Sequence, residues 1–177
     1  MKRCLIGALF LCFAITSLAD DSTHQMRHRP VRVFDANGHV VGDLTIFAAQ
    51  NGVAFTVGHA TAVVPIGRVQ DASRHFSATD FQWQAAVGAF FTSSDCSGYP
   101  IVNATSGPWA ALALRRDNVV TLYFAVEGVD QVLMANSILD PTTGCRPFTQ
   151  GVTVQGWPPG SKLVISEKHP EPLRIGF

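Results

Sequence analysis

Several groupings in this 177-residue chain have residue types and spacings that could do chemistry. His24 and His28 stand four apart, which on a helix would put two imidazoles on one face and begin a metal site. No third ligand is near them in sequence, and the segment reads more simply as a solvated lead. Ser94 and Asp95 adjoin Cys96, which suggests a nucleophile, but the Gly-x-Ser-x-Gly setting that holds a serine beside a base is missing. The same side chains can satisfy turn backbone with no reaction at all. Glu127 and Asp130 make a carboxylate pair of the kind that hydrolyses a glycosidic bond, yet their place at a turn explains them as solvated end residues. His59, His75 and His169 are scattered through turns and polar stretches. No catalytic residue, metal ligand set or cofactor loop is specified.

The aromatic residues offer recognition chemistry instead, because Trp and Tyr rings stack on sugars or anchor a protein partner through broad apolar faces. Trp157, Tyr99 and Trp83 are the candidate binding residues. Phe81 and Trp83 would share one strand face, with Gln82 and Gln84 on the other; core packing is the simpler role for both rings. Gly156-Trp157-Pro158-Pro159-Gly160 reads as a stiff loop presenting a ring, or as one whose ring folds back over the core edge. Asn103-Ala104-Thr105 has the form of a glycosylation acceptor.

The segment carrying any such site is addressed for export. Lys2 and Arg3 precede an apolar run from Cys4 to Ile15, and Ser17-Leu18-Ala19 supplies the small residues of a peptidase site, so residues 1–19 read as a signal peptide cleaved before Asp20. The run is shorter than the roughly 20 apolar residues a membrane span needs, and no stable span is expected after cleavage. The mature chain keeps 11 Lys or Arg against 13 Asp or Glu, a net charge of −2. It lacks the positive field that nucleic acid demands, and nucleic acid is not an expected partner. Arg115-Arg116, the one adjacent basic pair left, reads as a solvated turn. Cys96 and Cys145 are the two cysteines remaining, and an even count in an oxidising compartment is read as one disulfide.

After a flexible lead over residues 20–30, short apolar runs alternate with turn residues, the pattern of antiparallel strands. Asn37-Gly38 and Asn51-Gly52 tolerate the positive φ of tight hairpin turns. Val53, Phe55 and Val57 fall on one face of a strand, Ala54 and Thr56 on the other. Pro65 suggests an edge strand or a bulge near Ala62 to Ile66, and Gly67 to Thr79 reads as a surface connection with room for a short helix. Trp109 to Leu114 is ambiguous between helix and strand. Val119 to Glu127, turned by Gly128-Val129-Asp130 into Gln131 to Leu139, reads as a hairpin. The expected fold over residues 31–177 is all-β, a single-domain antiparallel sandwich or partly closed barrel with at most one or two short helices.

Three pieces, Val31-Arg32-Val33-Phe34-Asp35-Ala36-Asn37-Gly38, Phe91-Thr92-Ser93-Ser94-Asp95-Cys96-Ser97-Gly98 and Ser137-Ile138-Leu139 leading to Gly144-Cys145, resemble segments of a diffuse set of uncharacterised exported bacterial β-rich proteins. The resemblance implies a β-scaffold in which an Asp-Cys-x-Gly turn is tied to a later Gly-Cys, and a periplasmic or secreted location; no activity comes with it. The expected function is a non-catalytic binding or structural component with a protein or carbohydrate partner. The alternative is a secreted hydrolase acting on a carbohydrate or other envelope substrate, which would need a concave pocket where Asp95, Glu127, Asp130 or a histidine converge. A homo-oligomeric subunit of a surface assembly would need an apolar exposed face or an unprotected sheet edge.

Overall fold

The computed structural model describes residues 29–104 and 107–177; the segment 1–19 expected to be a signal peptide, most of the lead with His24 and His28, and Thr105 of the Asn103-Ala104-Thr105 triplet lie outside the described residues. The elements in chain order are strands β1 (Arg32–Phe34), β2 (Val40–Phe47), β3 (Gln50–Val57), β4 (Ala60–Gln70), β5 (Phe76–Trp83), β6 (Ala89–Phe91), β7 (Ala111–Arg116), β8 (Val119–Ala125), β9 (Gln131–Asp140), β10 (Gly144–Gly156) and β11 (Pro159–Val164), then the one-turn helix α1 (Ile165–Lys168) and strand β12 (Arg174–Gly176). The fold is all-β. No helix among the described residues is long and apolar enough to cross a membrane.

Three antiparallel sheets share the strands. The largest runs β12-β1-β2-β3-β4-β5, and its two ends meet where Phe81 and Leu173 exchange backbone hydrogen bonds of 2.8 and 2.7 Å, so the sheet is nearly closed. A middle sheet of order β11-β8-β7 and an outer sheet of order β10-β9-β6 complete the molecule. Alternation along the middle sheet feeds two cores. Ala111, Ala113, Val120, Leu122 and Phe124 pack with Val53, Val64, Ile66 and Trp83 of the large sheet. Leu112, Leu114, Tyr123 and Ala125 pack with Ala89, Phe91, Cys96 and Val102. A strand buried on both faces carries apolar residues at consecutive positions, as β8 does from Leu122 to Ala125. The Cys96–Cys145 disulfide ties the turn after β6 to the start of β10.

Local turn chemistry explains the first hairpin. Asp35 Oδ1 accepts the amides of Asn37 (2.9 Å) and His39 (3.0 Å), and Gly38 takes φ +80°. Asn51-Gly52, by contrast, is not a turn. Ala48 and Ala49, at φ +50° and +62°, form the two-residue loop, and Asn51 and Gly52 belong to β3. Gly52 serves close approach instead, since a Cβ there would lie 2.5 Å from the Val64 carbonyl oxygen. Val53 is buried and Phe55 and Val57 partly buried against the first core, while Ala54 and Thr56 face outward.

Four further expectations are corrected. Pro65 sits within β4, an interior strand, at the point where pairing passes from β3 (Gly52↔Pro65) to β5 (Ile66↔Trp83), so its missing N–H falls at a hand-over between ladders. Only Asp71 to His75 of the polar stretch is a turn; the rest is strand, held by Arg68, which donates to the Ser77 and Ala78 carbonyls and lies over the Phe81 ring. Val119–Ala125 and Gln131–Asp140 are both strands but do not pair with one another: β8 pairs β7 and β11, and β9 pairs β6 and β10. Gly128-Val129-Asp130 therefore carries the chain from one sheet to the next. Trp109 to Leu114 enters a strand, and Arg115-Arg116 ends β7 half-buried, with both guanidinium groups committed to structure.

Candidate functional site

A concavity of about 740 Å³ lies between the end of β5, the β7–β8 turn and the region of the β9–β10 turn. Its foundation is a partly buried polar network. Glu171, in the segment between α1 and β12, accepts two hydrogen bonds from Arg115 (Nη2–Oε1 2.6 Å, Nη1–Oε2 3.0 Å) and one from the Trp83 amide (2.6 Å). Arg115 also donates to the Trp83 carbonyl (2.9 Å), and the Trp83 indole donates to the His169 carbonyl (3.2 Å). A bidentate Arg–carboxylate pair is geometrically exacting and strong when shielded from water; here the two side chains are 27% and 22% exposed. The network fixes the end of β5 against β7.

Trp83 follows from this placement. It is 1% exposed, edge-to-face with Phe55 at 5.7 Å, and contributes to the floor of the cleft rather than presenting a ring to solvent. The residues on either side of it alternate outward and reach the cleft wall as Gln82 and Gln84. Gln84 has a seat: a Cβ on Gly67 would fall 2.2 Å from its Nε2, so the missing side chain of Gly67 makes the space its amide occupies. Gln50, at the start of β3, and Asn118, in the β7–β8 turn, bring two more amides. Among the described residues none of these four amides has a protein hydrogen-bond partner. Ala86, Leu112, Leu114 and Leu139 supply apolar lining. Among the described residues only two charged ones line the cleft, Arg115, already paired, and Asp117, in the turn with Asn118.

A second polar cluster adjoins the network. Asp35 is buried, with Oδ2 3.4 Å from His169 Nδ1 and 3.7 Å from His39 Nδ1. Burial pushes its carboxyl up, but the His39 and Asn37 amides and the His169 imidazole outweigh that and hold it below the ordinary carboxylate range. Among the described residues no Ser, Thr or Cys is hydrogen-bonded to either imidazole, so the arrangement holds the β1–β2 turn to the chain before β12. No group of three or more His, Cys, Asp or Glu among the described residues is arranged to hold a metal ion.

The remaining sequence candidates are dispersed. Tyr99 is 57% exposed, edge-on to Tyr123 at 5.9 Å and beneath Lys162 at 5.3 Å, beside a notch of about 80 Å³. Trp157 folds back: its strand bridges Val102, its indole donates to the Gly128 carbonyl (2.9 Å), and the ring packs on the second core. Ser94 is exposed, and Asp95 Oδ1 accepts the Ser97 amide (3.0 Å) within the turn; the Ser97 hydroxyl and amide hold the Asp95 carboxyl low. Buried Ser137 secures the same turn, donating to the Ser93 carbonyl (2.7 Å) and accepting the Cys96 amide (3.1 Å). Arg116 donates to the Cys96 and Gly98 carbonyls and lies over Phe91. Glu127 meets His59 at 3.9 Å, both fully solvated. None of Asp95, Glu127, Asp130 or the described histidines His39, His59, His75 and His169 lines this cleft.

Sequence reasoning missed Gln50, Asn118, Asp117 and Arg115 as neighbours. The usable signal was Gln82-Trp83-Gln84, a buried ring flanked by two outward amides. Comparison of the chain with protein-family models, with curated proteins and with solved structures finds no match.

Proposed function

We propose that this chain is an exported, non-catalytic binding protein of the periplasm or cell exterior that holds a small polar ligand in the amide-lined cleft. The observation that carries the reading is the division of labour around that cleft: its cation among the described residues, Arg115, is locked on Glu171, while four neutral amides from three places in the sequence face it with no protein partner among the described residues. Recognition needs directional donors and acceptors that are free until the ligand arrives. Acid–base hydrolysis needs two carboxyl groups facing the scissile bond, and among the described residues Asp117 is the one carboxylate lining the cleft. The leader at residues 1–19 and the disulfide support delivery to an oxidising compartment.

The test is a thermal-shift screen of the mature protein against a library of small polar solutes, run beside Ala85→Trp, which places a large ring in the cleft wall. A ligand that binds only the folded state raises stability by mass action. The expected result is a stabilising solute that acts on the wild type, fails on the blocked variant and is recovered unchanged. Stabilisation that is equal in both proteins, or conversion of the solute, refutes the reading.

A further inference from the structure

We infer that the ligand of this cleft is an uncharged saccharide, an assignment that rests on the cleft being the binding site. A saccharide hydroxyl is both donor and acceptor, and a side-chain amide offers two donor hydrogens and an acceptor oxygen on one rigid plane. Gln50, Gln82, Gln84 and Asn118 present four such planes around one concavity, with their hydrogen-bonding capacity unused by the protein. Gln84 is held in the slot that Gly67 leaves open, so this wall has a defined shape.

Charge selects within the polar ligands. Among the described residues Arg115 is the only cation lining the cleft, and both of its terminal nitrogens are engaged by Glu171, so a phosphate, sulfate or uronate entering there meets no free positive group among them. Asp117 adds a negative charge at the rim, which repels an anion further. A cation would find one carboxylate in open solvent, where a single pair contributes little. An apolar ligand is disfavoured for the opposite reason, since it would strip water from four amides and return no hydrogen bonds. The aliphatic surface of Ala86 and Leu139, both partly exposed, matches the C–H faces that a sugar ring turns away from its hydroxyls. The volume of about 740 Å³ lies within the range of about 300–1,000 Å³ in which proteins hold small organic ligands.

The experiment is isothermal titration of the mature, disulfide-bonded protein with neutral trisaccharides (maltotriose, cellotriose, N,N′,N″-triacetylchitotriose), with trigalacturonate as the acidic probe and deacetylated chitotriose as the cationic one. At least one neutral sugar is expected to bind, with both charged probes about tenfold weaker or silent. Gln82→Leu and Asn118→Leu each remove an amide of nearly constant volume and are expected to weaken the neutral sugar about tenfold, the loss of one or two hydrogen bonds. Urea unfolding of the same variants confirms that they fold. Tighter binding of the acidic or cationic probe, or unchanged affinity in both leucine variants, overturns the assignment. If no saccharide binds while the solute screen finds another ligand blocked by Ala85→Trp, the ligand class is wrong and the cleft reading stands. If neither experiment finds a ligand, both are wrong.

Discussion

Two polar regions lie within a few residues of each other and are built on opposite rules. Around Glu171, every strong donor and acceptor has a partner: Arg115 twice, the Trp83 amide, and through Trp83 the His169 carbonyl, with Asp35 beyond it. Around the cleft, Gln50, Gln82, Gln84 and Asn118 keep their amides unpaired. Charge withdrawn from water must be matched or it destabilises the fold; a neutral amide at a wet rim carries no such penalty and can wait for a ligand. The paired region is scaffold and the unpaired one is the recognition surface we propose, and the boundary between them runs through Trp83, whose backbone belongs to the first and whose neighbours belong to the second.

The comparison breaks first at Glu171. Glu171→Ala leaves the Trp83 amide without its acceptor and Arg115 with only the Trp83 carbonyl, both in a partly shielded place, and is expected to cost about 3–5 kcal/mol in urea unfolding; a loss under about 1 kcal/mol would remove the scaffold half of the argument. Reducing Cys96–Cys145 acts on the opposite side of the middle sheet, where the turn after β6 meets β10. The expected loss is about 2–4 kcal/mol, with affinity for cleft ligands retained in the protein that remains folded.

Acid sharpens the contrast. Asp35 has a folded value below the ordinary 3.8, so the unfolded chain takes up its proton first. The stability it contributes is present above about that pH and disappears as pH falls through the lower folded value. Wild type should therefore be more stable than Asp35→Asn at pH 7, with the gap closing below about pH 4; a gap independent of pH means the carboxylate charge does not matter. Asp95 and Asp140 titrate low in both proteins and cancel in this difference.

The smallest effects on stability belong to the cleft. Gln82→Leu and Asn118→Leu are expected to shift unfolding by no more than about 0.5 kcal/mol, as surface substitutions do, while weakening the proposed ligand about tenfold. Gly67→Ala tests the wall: its Cβ must displace the Gln84 amide, a flexible group, so the fold changes little and the ligand weakens. Equal losses of stability in the Glu171 and Gln82 variants would erase the distinction between the two regions.

What the chain determined by itself were features that depend on near neighbours. Period-two alternation placed Val53, Phe55 and Val57 toward a core, Asp35 with Asn37-Gly38 made a turn from side-chain and backbone geometry within five residues, and two cysteines in the mature chain had one pairing open to them. Alternation names a strand and its faces but not its partner, which is why β8 and β9 were legible as strands and not as members of different sheets. Asn51-Gly52 carries the same local preference as Asn37-Gly38, yet the approach of Val64 claimed its glycine for a strand and left the turn to two alanines. Only the tertiary structure paired Arg115 with Glu171 across 56 positions and drew Gln50, Gln82, Gln84 and Asn118 to one cleft. Such gatherings follow from how the three sheets stack, a long-range packing outcome that no window of neighbouring residues encodes.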